Sequence, residues 1–224
     1  MKLSATVTHL PKASFNYTAG VWRFGMKIGV LGLQGAVSEH LSATKRAMDS
    51  LGIRGEVRWV SHRDHIDGLD GLILPGGEST TIGRLMATTG LLQEIKDAVE
   101  KGLPILGTCA GLILMAKEGD KHVERTKQPL LRVMDIKIIR NAFGRQRESF
   151  EVDIPIRGLK GKPFRAVFIR APAIERLWGG AESLAELEGR TVAAKQGRML
   201  AFCFHPELTE DTRIHEWFLE LCKG

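Results

Sequence analysis

Cysteine and tyrosine are scarce in this chain, which has three cysteines and one tyrosine among 224 residues. So few cysteines, without the spacing of a disulfide framework, favour a reducing compartment and predict a cytoplasmic protein. Residues 1–25 contain no apolar run long enough for a signal peptide or a membrane span. We therefore predict no interaction with a membrane.

An excess of one charge is also largely missing. The net charge is +6, and part of it lies before Met26, where three basic residues and no acidic ones occur. Because no basic stripe with interleaved aromatic side chains is present, nucleic-acid binding is not predicted. The group Arg140, Arg145 and Arg147 is better explained as a solvated face or as a contact with a partner protein.

Motifs for common cofactors do not occur. Gly29, Gly32 and Gly35 follow a predicted strand but lack the Gly-x-Gly-x-x-Gly order of dinucleotide-binding loops, and there is no Gly-Lys-Ser/Thr phosphate loop. Two histidines and an aspartate between His62 and His65 could in principle bind a metal. Without further ligands, however, a polar loop is favoured. We predict neither a cofactor nor a metal site.

The chain length suits one α/β domain, and no repeat or linker divides it. We expect residues 1–25 to be an N-terminal extension, and residues 26–224 to form the domain. The extension is interpreted as a disordered leader or as the product of an upstream start codon. Its Ser, Thr and basic residues without acids are also similar in composition to a transit peptide.

Hydrophobic periodicity predicts a parallel sheet with crossover helices in the first half of the chain. Strands are predicted over 27–33, 56–60, 71–74 and 103–107, and helices over 36–51 and 91–100. Strands then dominate, over 134–139, 150–154, 166–169, 191–195 and 199–204, which favours antiparallel pairs at the sheet edge. Thr209 is predicted to cap a final helix.

The run from Pro104 to Gly111 places one cysteine, Cys109, between two glycines where a predicted strand turns into a predicted helix. Glycines two residues before and after it remove Cβ atoms that would collide at so sharp a corner. This is the pattern of a nucleophile elbow, with cysteine in place of serine. The helix start also favours a thiolate. Cys203 is a rival nucleophile, but it lies inside a predicted strand and is better explained as core.

Two further loops match this chemistry. His205-Pro206-Glu207 follows an apolar run; in an extended segment His205 and Glu207 would point the same way, so that the acid could orient the base. The Gly76-Gly77 turn after another predicted strand could bring backbone N–H groups close to an oxyanion. Gln34, at the end of the first strand, either borders the same pocket or closes its turn. All three loops follow predicted strands, where open α/β sheets place their sites.

Six stretches together resemble the class I (triad-type) glutamine amidotransferases and, more narrowly, the glutaminase subunits of pyridoxal 5′-phosphate synthase. They occur in family order from about Met26 to the C-terminus: Gly29-Val-Leu-Gly-Leu-Gln-Gly-Ala-Val37, Leu74-Pro-Gly-Gly-Glu-Ser-Thr-Thr81, Gly107-Thr-Cys-Ala-Gly-Leu112, Arg140-Asn-Ala-Phe-Gly-Arg-Gln146, Phe168-Ile-Arg-Ala-Pro172 and Phe204-His-Pro-Glu-Leu-Thr209. The resemblance implies a three-layer, flavodoxin-like α/β fold with a mostly parallel sheet and antiparallel edge strands.

The resemblance also implies an activity, the hydrolysis of L-glutamine to glutamate and ammonia for a separate synthase subunit. Cys109 would be the nucleophile, His205 the base and Glu207 its orienting acid, and the backbone amides of Gly77 and Ala110 would form the oxyanion hole. The residues implied to contact glutamine are Gly77, Glu78, Ser79, Arg140, Ile169 and Arg170.

Two alternatives remain open at this point. One is an amidotransferase of the same fold that serves another acceptor, such as imidazole glycerol phosphate synthesis, although the narrower motifs disfavour it. The other is a non-catalytic binding or regulatory module, which an intact Cys109, His205 and Glu207 set opposes. The segment 119–132 and the extension before Met26 depart from the family pattern, but neither contains a residue of this set.

Overall fold

A computed structural model describes residues 25–143 and 149–223 of the chain. Of the predicted N-terminal extension, only Gly25 belongs to these ranges, so the interpretation of residues 1–24 lies outside the described residues. Arg145 and Arg147 of the predicted basic group lie outside them as well. Within the described ranges, no helix has both the length and the apolar character that crossing a membrane requires.

Twelve strands and six helices form in the described part of the chain. The strands are β1 Met26–Leu31, β2 Gly55–Val60, β3 Gly71–Leu74, β4 Ile105–Thr108, β5 Ala116–Glu118, β6 Met134–Ile139, β7 Ser149–Ile154, β8 Phe164–Ile169, β9 Ala173–Leu177, β10 Glu182–Leu187, β11 Arg190–Gln196 and β12 Met199–Phe202. The helices are α1 Val37–Ser50, α2 Ser79–Thr89, α3 Leu91–Glu100, α4 Ala110–Met115, α5 Lys121–Thr126 and α6 Arg213–Cys222.

One large sheet runs in the order β2-β1-β3-β4-β12-β11-β9-β6-β5, with β10 attached to β11. The first five strands in this order pair in parallel, whereas β12-β11, β11-β9 and β9-β6 are antiparallel. Helix α1 packs with α6, and α2 packs with α3 and α4. The predicted α/β fold with a mostly parallel sheet and antiparallel strands towards one edge is confirmed.

The centre of the sheet is its most apolar part. Every residue of β3 and β4 is buried, as expected for parallel strands covered on both faces. Cys203 is fully buried among the apolar residues that follow β12, in agreement with its interpretation as core rather than as a nucleophile. The parallel strands β1, β3, β4 and β12 end at one edge of the sheet, and the loops after them build the site described below.

Several elements differ from the predicted pattern. β5, β9, β10 and α5 were not predicted, because their short sequences carry little periodicity of their own and depend on neighbouring strands. Thr209 does not cap the last helix: its hydroxyl donates to the carbonyl of Pro206 at 3.1 Å, and α6 begins only at Arg213. The carboxylate of Asp211 instead accepts from the Arg213 N–H at 3.2 Å.

Candidate active site

Cys109 stands at a sharp corner between the end of β4 and the start of α4. Its backbone angles, φ 48° and ψ −102°, are uncommon for a residue with a side chain. The flanking glycines make room for the corner: a Cβ on Gly111 would overlap the carbonyl oxygen of Leu74, and one on Gly107 would lie 2.9 Å from the Gly111 backbone. The local geometry is therefore that of a nucleophile elbow.

His205 and Glu207 lie just beyond the end of β12, the strand that pairs with β4. His205 Nδ1 is 2.7 Å from Glu207 Oε1, and both side chains are buried. The expectation of an extended segment is wrong here, because Pro206–Leu208 forms a 3₁₀ turn. That turn, started by the fixed φ of Pro206, brings the carboxylate to the imidazole.

The thiol of Cys109 lies close enough to the imidazole of His205 to raise the pKa of the ring. The parallel pairing of β4 and β12 brings the two residues together, since the Cys109 N–H donates to the carbonyl of Phe202 at 2.8 Å. Gly76, in the loop after β3, packs against both groups. A Cβ there would overlap the His205 ring and lie 3.4 Å from the Cβ of Cys109. The three loops predicted from the sequence thus meet at one edge of the sheet.

Two opposing effects set the charge of His205. Burial lowers the pKa of the ring because the charged form loses its water, but hydrogen bonds and charges from Cys109 and Glu207 outweigh burial and raise the pKa to about 10. A protonated imidazole between sulfur and carboxylate is therefore favoured at neutral pH. Such a ring can stabilise a thiolate and then donate its proton to a leaving group.

A cavity of about 340 Å³ opens beside Cys109, a size within the range of small-molecule sites. Gln34 contributes to its wall and also closes the turn, because its Oε1 accepts from the N–H of Glu78 at 2.8 Å. All predicted site residues except Glu207, which lies behind His205, line this cavity. The lining residues are Gln34, Gly77, Glu78, Ser79, Cys109, Ala110, Ile113, Arg140, Asn141, Ile169, Arg170, Pro172 and His205.

Glu78 has a structural task besides facing the cavity. Its carboxylate caps helix α2 by accepting from the N–H groups of Thr80 at 3.0 Å and Thr81 at 2.6 Å. Burial raises the pKa of Glu78, but hydrogen bonds from Thr81 and Thr80 outweigh it and lower the pKa to about 2. The side chain stays half exposed, so a charged carboxylate remains accessible at the cavity wall.

Arg140 brings a positive charge to the same wall. Its backbone N–H donates to Asp120 at 2.9 Å, and its guanidinium contacts the side chains of Thr80 and Gln128, each at 3.4 Å. Nη2 of Arg140 lies 3.8 Å from Glu78 Oε1. A cation and an anion therefore stand side by side in the cavity, as a zwitterionic ligand would require.

The loop after β8 completes the wall. The carbonyl oxygen of Ile169 is 4.0 Å from Cys109 Sγ. Arg170 follows with φ 42°, a left-handed conformation, and its exposed side chain borders the opening of the cavity. The main chain at Ile169 is therefore placed over the sulfur.

Residues 30–224 match the SNO glutamine amidotransferase family. The chain belongs to that family. It is 54% identical over 195 residues to pyridoxal 5′-phosphate synthase subunit PdxT of Methanosarcina mazei, covering 87% of this chain and 98% of the relative. It is 50% identical over 200 residues to the PdxT subunit of Saccharolobus solfataricus, covering 89% and 100%.

Solved structures agree with this assignment to the glutamine amidotransferases. A crystal structure of a glutamine amidotransferase superimposes with a TM-score of 0.78 at 48% identity, covering 88% of this chain and 99% of that one. A second, from Thermotoga maritima, has a TM-score of 0.55 at 13% identity, covering 87% and 81%. At that low identity the second match supports the fold alone.

Sequence reasoning missed several residues of this glutamine amidotransferase site. Gln128 is buried, and its Oε1 accepts from Ser79 at 3.4 Å and Thr80 at 3.1 Å as well as from Arg140. It lies in the segment that departs from the family pattern, so no motif pointed to it. Asn141 was visible only as part of a motif; it has a left-handed φ of 49° and lines the cavity.

A metal site does not emerge from the described residues, which contain no group of three His, Cys, Asp or Glu side chains able to hold an ion. The rings of His62 and His65 lie edge to face, 5.3 Å apart. His65 Nδ1 accepts from the N–H of Ser61 at 3.3 Å, so this ring helps to form a polar loop after β2.

Proposed function

We propose that this chain hydrolyses L-glutamine to L-glutamate and ammonia, and delivers the ammonia to the synthase subunit of a pyridoxal 5′-phosphate synthase. Membership in the glutamine amidotransferase family supports the reaction class, and the PdxT relatives support the biosynthetic role. The observation that carries the proposal is the row of Cys109, His205 and Glu207, in which His205 is hydrogen-bonded to Glu207 and lies with Cys109 at the wall of a cavity.

In the proposed reaction, the thiolate of Cys109 attacks the side-chain amide carbon of glutamine. Collapse of the tetrahedral intermediate breaks the C–N bond, and the protonated His205 donates its proton to the departing nitrogen, which leaves as ammonia. The glutamyl thioester that remains is attacked by water, from which His205 now accepts a proton. Collapse of the second tetrahedral intermediate releases glutamate and restores the thiolate of Cys109 beside protonated His205, while Glu207 holds the ring throughout.

The oxyanion of the intermediate is proposed to accept hydrogen bonds from the backbone N–H groups of Gly77 and Ala110. Ala110 is the first residue of α4, where N–H groups have no carbonyl partner within the helix. Gly77 is exposed in the loop that packs against the triad. Both lie at the cavity beside the sulfur, which supports the assignment.

For substrate binding, we assign the charges of the cavity to the two ends of glutamine. The cation of Arg140 suits the α-carboxylate, and the carboxylate of Glu78 suits the α-ammonium. Ser79, Ile169 and Arg170 supply the remaining contacts. These two charges lie side by side, with Arg140 Nη2 3.8 Å from Glu78 Oε1.

Glutaminase assays of the full chain with the synthase subunit from the same source test the proposal. We expect glutamate release with the complex, loss of that release by at least about 1,000-fold in Cys109→Ala, and near-normal release in Cys203→Ala as the matched control. Supplied ammonia should restore cofactor synthesis in the Cys109→Ala complex.

Three outcomes would contradict the proposed function. A glutamine-analogue electrophile could label a residue other than Cys109. The Cys109→Ala complex could remain active on glutamine. Ammonia could fail to rescue synthesis, which would exclude the ammonia-donor role and reopen the possibility of another acceptor.

The three cysteines, all free in the structure, are compatible with the predicted cytoplasmic location of this activity.

A further inference from the structure

The row of polar groups at the active site does not end at Glu207. Behind it lie two histidines with no exposed surface, His40 on α1 and His215 on α6. His40 Nε2 is 3.3 Å from Glu207 Oε2 and 2.9 Å from Thr108 Oγ1. His40 Nδ1 is 3.1 Å from His215 Nε2. No sequence motif pointed to either ring.

Glu207 needs a second partner. Its Oε1 is engaged by His205, whereas Oε2 is sealed from water and has no hydrogen bond of standard geometry among the described residues. An unpaired carboxylate oxygen in the core is costly, by several kcal/mol in general. His40 Nε2 lies 3.3 Å from Oε2 and is also within hydrogen-bond distance of Thr108 Oγ1.

The protonation of the two rings follows from their surroundings. Burial lowers the pKa of His40 well below its ordinary value, and Coulomb interactions with His215 and His205 lower it further, so the ring is neutral. Burial also lowers the pKa of His215, to about 3, with a smaller contribution from Arg46. Each neutral ring therefore carries one N–H donor and one acceptor nitrogen.

Either tautomer of His40 fits its contacts with Thr108 and His215, but only one suits the carboxylate. If His40 carries its proton on Nε2, this N–H lies near both Thr108 Oγ1 and Glu207 Oε2, and Nδ1 accepts from His215 Nε2–H. The opposite tautomer would aim a lone pair at the carboxylate. The arrangement also explains why His215 Nδ1 has no partner among the described residues, because it is then an acceptor rather than a buried N–H.

We propose that His40 is a positioning residue of the glutaminase reaction, whose Nε2–H holds Oε2 of Glu207 so that Oε1 stays aligned with His205. This inference rests on the proposed function. His40 does not line the cavity, so it acts through Glu207 and not on glutamine. Its loss should therefore lower kcat and leave KM nearly unchanged.

A pair of variants separates this role from general packing. In His40→Gln the side-chain amide reaches about as far as Nε2 and keeps a donor for Glu207. In His40→Asn the same amide is one methylene shorter and is placed near Nδ1, out of reach of the carboxylate. Thr44→Val, one turn further along the same buried face of α1, serves as control, because it removes a hydroxyl without a hydrogen-bond partner in the part of the chain that the structure describes.

The assay measures kcat and KM for glutamine in the complex with the synthase subunit, with the melting temperature of each chain. We expect kcat to fall about 10- to 100-fold in His40→Asn, the range for loss of an outer hydrogen-bonding partner, at unchanged KM. His40→Gln should recover kcat to within about threefold of the wild type. Thr44→Val should match the wild type.

Equal kcat in wild type and His40→Asn would overturn the positioning role, as would equal losses in His40→Asn and His40→Gln. An inactive wild-type complex would instead refute the proposed function, and the positioning role with it. Should His40→Asn not fold, ¹⁵N NMR of histidine-labelled wild-type chain decides the point, since the role requires the Nε2–H tautomer of His40. Finding the proton on Nδ1 would overturn it.

Discussion

Replacing His215 by glutamine removes from the core an imidazole that is fully buried and held neutral. The glutamine amide can still donate to His40 Nδ1, which His215 Nε2 approaches to 3.1 Å. What disappears is a group that titrates in the unfolded chain near pH 6.5 but resists protonation in the folded one. We expect this substitution to make the protein less sensitive to acid.

The sign of the effect follows from proton binding in the two states. As the pH falls below 6.5, the unfolded chain takes up a proton on His215, whereas the folded chain does so only near pH 3. The unfolded state thus gains protons first, and stability is lost with falling pH. His205 acts in the opposite direction, because its pKa is raised to about 10 and its stabilising contribution grows as the pH falls towards 6.5. It is present in both wild type and variant, so it drops out of the difference between them.

The magnitude can be worked out from the same two values. Between pH 8 and pH 5, pKa values of 6.5 unfolded and about 3 folded imply a loss of about 2 kcal/mol from His215 alone. For a chain of this size, that corresponds to roughly 4–8 °C in melting temperature. His40 contributes in the same direction, but it is present in both wild type and variant.

Urea unfolding of the full chain between pH 8 and pH 5 measures this difference. The wild type should lose about 2 kcal/mol more than His215→Gln over the interval. Ile214→Val, a fully buried position next to His215 on α6, is the matched control. It should lower stability by about 0.5–1.5 kcal/mol at every pH without changing the slope. Parallel pH curves for wild type and His215→Gln would refute the reasoning.

Three further predictions concern the walls of the site. Gly76→Ala should lower kcat about 100-fold in the glutaminase assay, because the added Cβ overlaps the ring of His205; unchanged kcat would contradict the packing. Glu78→Ala should lower the free energy of unfolding by about 1 kcal/mol in urea, because α2 loses its cap; equal midpoints would argue against capping. Gln128→Ala should raise KM for glutamine about tenfold with a smaller change in kcat, since Ser79 and Arg140 lose a shared partner. A selective loss of kcat would place Gln128 elsewhere in the mechanism.

Local patterns in the sequence were sufficient to predict the parallel half of the fold and the elbow at Cys109. Helix and strand periods are properties of neighbouring residues, and the strand at Gly71–Leu74 and the helix at Leu91–Glu100 have the predicted bounds. The glycines around Cys109 could also be interpreted locally, because the collisions they avoid arise within one turn. Strand ends in a parallel sheet then bring Cys109 and His205 to one edge.

Features that depend on residues distant in the sequence could be seen only in the tertiary structure. β10 carries helix-favouring Glu, Ala and Leu residues but is a strand, because pairing with β11 outweighs local preference. Glu78 is close in sequence to Thr80 and Thr81, whose N–H groups donate to its carboxylate. Only the observed start of α2 shows that the carboxylate is used as a helix cap.

The buried histidines depend most strongly on the tertiary fold. His40 and His215 are 175 positions apart and meet only because α1 packs on α6. Burial then makes their charges and tautomers a property of the core, where water no longer sets the protonation of a side chain. The residues of the proposed triad could be predicted from local sequence, whereas the rings that lie behind Glu207 become visible only after folding.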